Sequence, residues 1–193
     1  MDTRIGQMRR IFTDKLSKNP CKSVQSVSSV YPLSEEEMVS TELLRRYPFF
    51  GFLNPEQLRQ VAMMTEEREL PKNTILFTIG EKAEMLYFLV NGRIDLHYIV
   101  EDKHLPELRK DFHIGSINPG EVLAISALVE PYELTSTAVT TTPCTILQIH
   151  AASLHQLCEQ DHDLAYGLQK QIAKTAMERL HATRILLAAA TAV

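Results

Sequence analysis

Apolar and polar positions divide the chain into stretches of helical and of strand-like period. Ile5, Met8, Phe12 and Leu16 recur at helical spacing and predict a short amphipathic helix over 1–18. Residues 19–34, rich in Ser, Val and Pro, read as a linker. Ser34 with Glu37 fits a capping box, so a helix is predicted from Ser34 to about Arg46, ended by Pro48. Asn54-Pro55-Glu56 predicts a second helix, with Asn as cap and Pro at the first helical position. Leu58, Val61 and Ala62 form its apolar face. From Leu70 the period shortens. The runs 74–79 and 85–90 are strand-like, and 93–100 alternates. Asn91-Gly92 between the latter two is a hairpin signal. A polar stretch, 101–111, separates this strand from the next, Pro119-Gly120 marks a turn, and 122–129 is apolar. The β-branched run 135–149 supplies the last strands. From about Leu164 the chain is rich in Ala, Leu, Gln and Lys, has no Pro and only Gly167, and predicts one long helix.

The expected class is therefore α+β, mainly β. The expected organisation is a basic arm and linker (1–33), a strand-rich body with its leading helices (34–163) and a C-terminal helix (164–193). In that helix Ala173, Leu180 and Leu187 lie seven apart, and Ala176, Thr183 and Ala190 follow each by three. This weak heptad seam fits a helix packed on its twin across a dimer axis, and equally one packed on its own body.

Composition adds little to the class: 45% of the 193 residues are hydrophobic and 23% charged, as in ordinary globular proteins. The formal charge of −4 gives no support to nucleic-acid binding, but its distribution is uneven. Arg4, Arg9, Arg10, Lys15, Lys18 and Lys22 face only Asp2 and Asp14 within the first thirty residues. A basic arm on an acidic body can contact a partner protein or an anionic membrane, although a solvated tail is the commoner outcome. Cys21, Cys144 and Cys158 are odd in number and share no metal-type spacing, so they read as reduced thiols in a cytoplasmic protein. No apolar run is long enough to span a bilayer, and the N-terminus has no signal-peptide core.

Several segments sharpen the picture. Tyr47-Pro48-Phe49-Phe50 and 53–58, then Gly80-Glu81 and 86–94, then Pro119-Gly120-Glu121-Val122, follow in order over roughly 40–187. In order and spacing they resemble the cyclic nucleotide-binding domain family. The resemblance implies a jelly-roll-like β-roll of about eight short strands, with N-terminal helices and a long C-terminal helix. It also implies a cassette near Phe-Gly-Glu-Leu-Ala-Leu, a spacer, then Arg-Ala-Ala or Arg-Thr-Ala. The family's Glu holds the ribose hydroxyl, its Arg pairs with the cyclic phosphate, and backbone amides complete the anion site. Here the matching residues are Leu123, Ala124, Ile125, Ser126, Ala127 and Leu128, then Leu134, Thr135 and Ser136. Both spacings are kept, but Ala124 stands for Gly, Ile125 for Glu and Leu134 for Arg. Glu121 lies four residues too early to replace the Glu and is expected to cap the strand end.

Other chemistry finds little support. The histidines form no i, i+4 pair with a third ligand, so no metal site is expected. Ser126 and Ser136 lack a nucleophile turn and a placed base, so no catalytic residue is assigned. Glu35-Glu36-Glu37 and Glu66-Glu67 read as a helix first turn and a solvated helix end. A regulator of the catabolite-activator kind would need a helix-turn-helix after the long helix, and no such segment precedes Val193, so no DNA binding by this chain alone is expected.

The expectation is a non-enzymatic regulatory or assembly module without cofactor. It would not bind cyclic AMP or cyclic GMP in the usual way, and would act through protein contacts, as a homodimer or in a larger assembly, by its C-terminal helix and basic arm. The dimer-helix candidates are Ala173, Ala176, Leu180, Thr183 and Leu187. One alternative is a sensor of an apolar or weakly polar ligand, lined by Leu123, Ile125 and Leu134 with Ser126, Thr135 and Ser136 as hydrogen-bond partners. A second is a non-standard cyclic nucleotide receptor.

Overall fold

Ser40 starts the first helix of the computed structural model, which describes residues 39–102 and 105–191. The predicted helix 1–18, the linker and the Ser34–Glu37 box lie outside the described residues. Ser40 Oγ accepts the Leu43 N–H at 3.1 Å and caps α1 (Thr41–Arg45). A 3-10 turn follows at Pro48–Phe50. Its rings and Tyr47 gather round Phe88, with centroid distances of 5.4 Å for Tyr47 and Phe49 and 4.6 Å for Phe50. The Tyr47 hydroxyl donates to the Leu89 carbonyl at 3.3 Å, which burial requires of it. In α2 (Pro55–Met63) the side-chain Oδ1 of Asn54 accepts the Glu56 and Gln57 N–H groups at 2.9 Å each. Gln57 Oε1 accepts the Asn54 N–H at 3.0 Å and closes a capping box.

Eight strands follow: β1 (Thr65–Leu70), β2 (Ile75–Phe77), β3 (Met85–Asn91), β4 (Ile94–Asp102), β5 (Leu105–Ile117), β6 (Val122–Leu123), β7 (Thr137–Thr140) and β8 (Cys144–His150). They form two antiparallel four-stranded sheets, ordered β1-β8-β3-β6 and β2-β7-β4-β5. The first sheet is apolar on both faces along β3. Leu89 and Ile146 meet Ile94 and Ala138 of the second sheet, while Leu86, Phe88, Leu147 and Ile149 meet the helices. That double burial explains why β3 reads as a continuous apolar run.

Three local expectations are corrected. Asn91-Gly92 does not close a hairpin: β3 pairs with β8 and β6, and β4 with β5 and β7. The turn carries the chain from one sheet to the other, so that Leu89 and Ile94 are both buried between them. A Cβ on Gly92 would stand 2.5 Å from the Pro143 carbonyl oxygen, so only glycine lets the two chains approach here. The polar stretch after β4 is itself strand: Val100 pairs with Lys110 and Ile99 with Asp111. Glu66 and Glu67 belong to β1 and not to a helix end. β1 lies at the edge of its sheet, where exposed charge deters further pairing.

A helix absent from the sequence prediction, α3 (Ala151–Gln160), precedes the long α4 (His162–Thr191), which has 30 residues. Asp161 between them accepts the Leu164 N–H at 2.9 Å and the Gln57 side-chain amide at 2.7 Å, joining α4 to α2. Leu164, Leu168 and Ile172 bury the first turns of α4, and Gly167 admits the Phe52 ring. Beyond Ile172 no residue of α4 is fully buried.

Candidate functional site

The chain approaches the candidate loop through a pinned turn. The Gly120 N–H donates to the Leu89 carbonyl at 2.8 Å, and the Leu89 N–H to the Glu121 carbonyl at 3.0 Å. The Glu121 carboxylate accepts the Asn118 N–H at 2.7 Å, so it holds the turn ahead of β6. β6 then pairs with β3, Val122 opposite Phe88 and Leu123 opposite Tyr87.

Ala124, the next residue, has φ +58° and ψ +39°. This left-handed conformation suits glycine and costs an alanine roughly 1–2 kcal/mol. A 3-10 turn follows at Ile125–Leu128, with no side-chain cap. The backbone thus takes a glycine-type shape with an alanine in it. Across the loop, the Leu134 N–H donates to the Glu81 carbonyl, and the Gly80 N–H to the Leu134 carbonyl, both at 2.8 Å. Leu134 is only 6% exposed.

Leu123, Ala124, Ile125, Ser126, Leu134, Thr135 and Ser136 all line one open cavity of about 430 Å³. Leu123, Ala124 and Leu134 are buried, Ile125, Ser126 and Ser136 half-buried, and Thr135 exposed. Phe77, Leu96, Val129 and Ile172 extend the apolar wall, while Glu130 and Glu133 stand exposed at its rim. A second cleft of about 570 Å³ runs between α4 and the Ile114–Ile117 end of β5, and shares Leu96, Thr135, Ser136 and Arg179 with the first.

Arg179 is a lining residue that the sequence analysis did not single out. It follows Leu164, Leu168 and Ile172 on the inward row of α4. Its guanidinium donates to the main-chain carbonyl of Val122. Burial pushes the guanidinium pKa down, and the nearby Glu121 charge partly restores it. Among the described residues no carboxylate lies within ion-pair distance of Arg179. The available signal was spacing: Ile172, Ala176 and Arg179 are four and three apart.

The dimer-helix candidates divide between two faces. Ala173, Leu180 and Leu187 are exposed, together with Tyr166 and Met177. Ala176 and Thr183 are exposed as well, but Ala176 lines the cavity and Thr183 the second cleft, so these two lie on the side of the protein's own strands. Seven-residue spacing alone does not distinguish position 176 from 177. Among the described residues no cluster of His, Cys, Asp or Glu is arranged to hold a metal ion. His97 pairs with Asp111 at 2.8 Å, and His155 bonds the Ala127 carbonyl oxygen at 3.0 Å. Cys144 and Cys158 are free thiols, and burial pushes the Cys158 pKa up. No helix among the described residues is long and apolar enough to cross a membrane.

Known proteins share this fold. The model of the cyclic nucleotide-binding domain matches residues 67–161. The chain is 27% identical over 140 residues to a cyclic nucleotide-gated potassium channel of Mesorhizobium japonicum, covering 72% of this chain and 34% of the channel. It is 29% identical over 105 residues to the cAMP-activated global transcriptional regulator of Pasteurella multocida, covering 54% of this chain and 47% of the regulator. The chain therefore spans a third to a half of these curated relatives. A crystal structure described as a cyclic nucleotide-binding protein from Geobacter metallireducens is 32% identical, with a TM-score of 0.64, over 75% of this chain and 100% of that one.

Proposed function

The chain belongs to the cyclic nucleotide-binding domain family, and from that premise we propose a regulatory or assembly module that does not take up cyclic AMP or cyclic GMP by the family's usual contacts and acts through protein contacts. The observation that carries the reading is Leu134, buried in the cavity wall where the family's phosphate-pairing Arg would stand. A buried Arg–phosphate pair is worth roughly 2–5 kcal/mol when one partner is truncated. A phosphate set against Leu134 and Ile125 would lose water and gain no charged partner from the loop. Titration with labelled cyclic AMP tests the point: no saturation at low-micromolar concentration is expected, and saturation there overturns it.

The protein-contact half of the proposal has its support on α4. Its outward row of Tyr166, Ala173, Met177, Leu180 and Leu187 is exposed, and the last three are large and apolar. A second copy of the same helix would match that row. The basic arm is assigned to partner contact in the same reading.

A second reading is a small-ligand sensor, and the observation favouring it is the cavity. Its volume of about 430 Å³ falls within the usual range for small-molecule sites, roughly 300–1,000 Å³, and its walls are mostly apolar. Native mass spectrometry of freshly purified protein separates the two: a reproducible adduct supports the sensor, and a clean apo mass the scaffold.

A further inference from the structure

We propose that the cavity takes an amphipathic carboxylate, with its apolar body against Leu96, Ile125, Leu134 and Ile172 and its head group on the guanidinium of Arg179. The inference rests on the sensor reading of the same cavity.

Charge and desolvation carry the argument. Arg179 has five N–H donors. One of its nitrogens is bonded to the Val122 carbonyl, and no carboxylate pairs with it among the described residues. A half-buried cation left in that state is costly, and an anion in the cavity would relieve the cost. The protein's own carboxylates serve only in part: the Glu121 charge acts on Arg179 from beyond ion-pair distance. Glu121 is engaged with the Asn118 N–H, and Glu130 and Glu133 sit exposed at the rim, where water screens them.

Shape selects the class of anion. The wall opposite α4 is built from Leu123, Ile125 and Leu134 and offers no second cation. A phosphomonoester presents more charged oxygens than one guanidinium and the half-buried Ser126 and Ser136 hydroxyls can satisfy, and a cyclic phosphate would bring a polar ribose against the Leu and Ile wall. The two oxygens of a carboxylate match the guanidinium fork. Such a ligand would also reach the helix, because Arg179 fastens α4 to β6. Occupation would then bias the position of α4, and with it the outward apolar row.

Calorimetry on the full chain tests this with octanoate and decanoate, the matched alcohols 1-octanol and 1-decanol, and cyclic AMP. The acids should saturate the protein and bind at least tenfold more tightly than the alcohols. Arg179→Gln should bring the acids down to the level of the alcohols measured on the same variant, with Arg179→Lys between. Equal affinity of acid and alcohol for the wild type overturns the carboxylate assignment and leaves the sensor reading standing. Binding by no probe overturns both. Cyclic AMP binding more tightly than decanoate also overturns the carboxylate assignment. The acid-to-alcohol ratio of the wild type decides the matter even if Arg179→Gln does not fold.

Discussion

Arg179 of α4 donates to the main-chain carbonyl of Val122, 57 residues earlier and two before the left-handed residue Ala124. The long helix is thereby fastened to the strand that feeds the candidate loop, so helix position and loop shape are mechanically joined. The loop carries a glycine-type backbone at Ala124, while its side chains build an apolar wall; among the described residues lining the cavity, the one cation, Arg179, comes from the helix.

The strain at Ala124 is directly measurable. Its φ of +58° is a glycine conformation. Ala124→Gly relieves the Cβ contact but adds unfolded-state entropy, so it should change stability by less than about 1 kcal/mol, on the favourable side. Ala124→Val, β-branched at positive φ, should destabilise by more than about 1 kcal/mol. Urea unfolding of both variants reads the difference.

If the loop frame is retained and only the chemistry has gone, restoring the chemistry should restore binding. Ala124→Gly with Ile125→Glu and Leu134→Arg should yield saturable cyclic AMP binding where the wild type is expected to show none. Leu134→Arg alone should give far less, since it buries a charge without completing the site. Titration of the single and triple variants with labelled cyclic AMP provides the comparison.

Gly167 gives a test of α4 packing. Alanine there would gain about 1 kcal/mol of helix propensity. Its Cβ would fall 2.1 Å from the Phe52 ring, however. Overpacking of this kind costs typically about 1–3 kcal/mol, so Gly167→Ala should lower the melting temperature. Gly167→Ala with Phe52→Leu should recover part of the loss, which a thermal melt would show.

Much of this could be read from residue order. Asn54-Pro55-Glu56 marked α2 because capping is local chemistry, and the run from Leu123 to Ser136 marked the loop because its spacing is intact. What depended on tertiary partners was not legible. Asn91-Gly92 has the dipeptide of a hairpin, yet which strands pair is decided by burial of Leu89 and Ile94 between two sheets. Glu66 and Glu67 look helical in isolation and become strand only because β8 lies beside them. Arg179 could not be singled out because nothing local tells which face of a long helix finds the cavity.

The junction before α4 predicts a pH dependence. Hydrogen bonds from the Gln57 amide and the Leu164 N–H hold the Asp161 carboxyl below the usual carboxylate range, against a smaller opposing effect of burial. A lowered folded-state pKa contributes stability that is present above the unfolded value, about 3.9. That contribution is lost as pH falls through the lower folded value. Asp161→Asn keeps a capping acceptor without the titration. The stability gap between wild type and Asp161→Asn should therefore narrow below about pH 4, and acid titrations followed by circular dichroism will show whether it does.

The outward face of α4 decides whether protein contact is the right half of the proposal. Removing residues 164–193 is a poor test, because Leu164, Leu168 and Ile172 belong to the core and their loss would unfold the body. Leu180 and Leu187 are 42% and 63% exposed, so charge at either position should leave the fold intact. Leu180→Glu with Leu187→Glu places like charges along a self-matched row, which opposes pairing of the helix with a second copy. Light scattering should find a dimer for the wild type and a monomer for the double variant, with unchanged circular dichroism. Leu186→Glu, on the cleft side at 64% exposed, serves as the control that adds charge without touching that row. A monomeric wild type at tens of micromolar, or equal loss of dimer in both variants, would remove α4 as the contact.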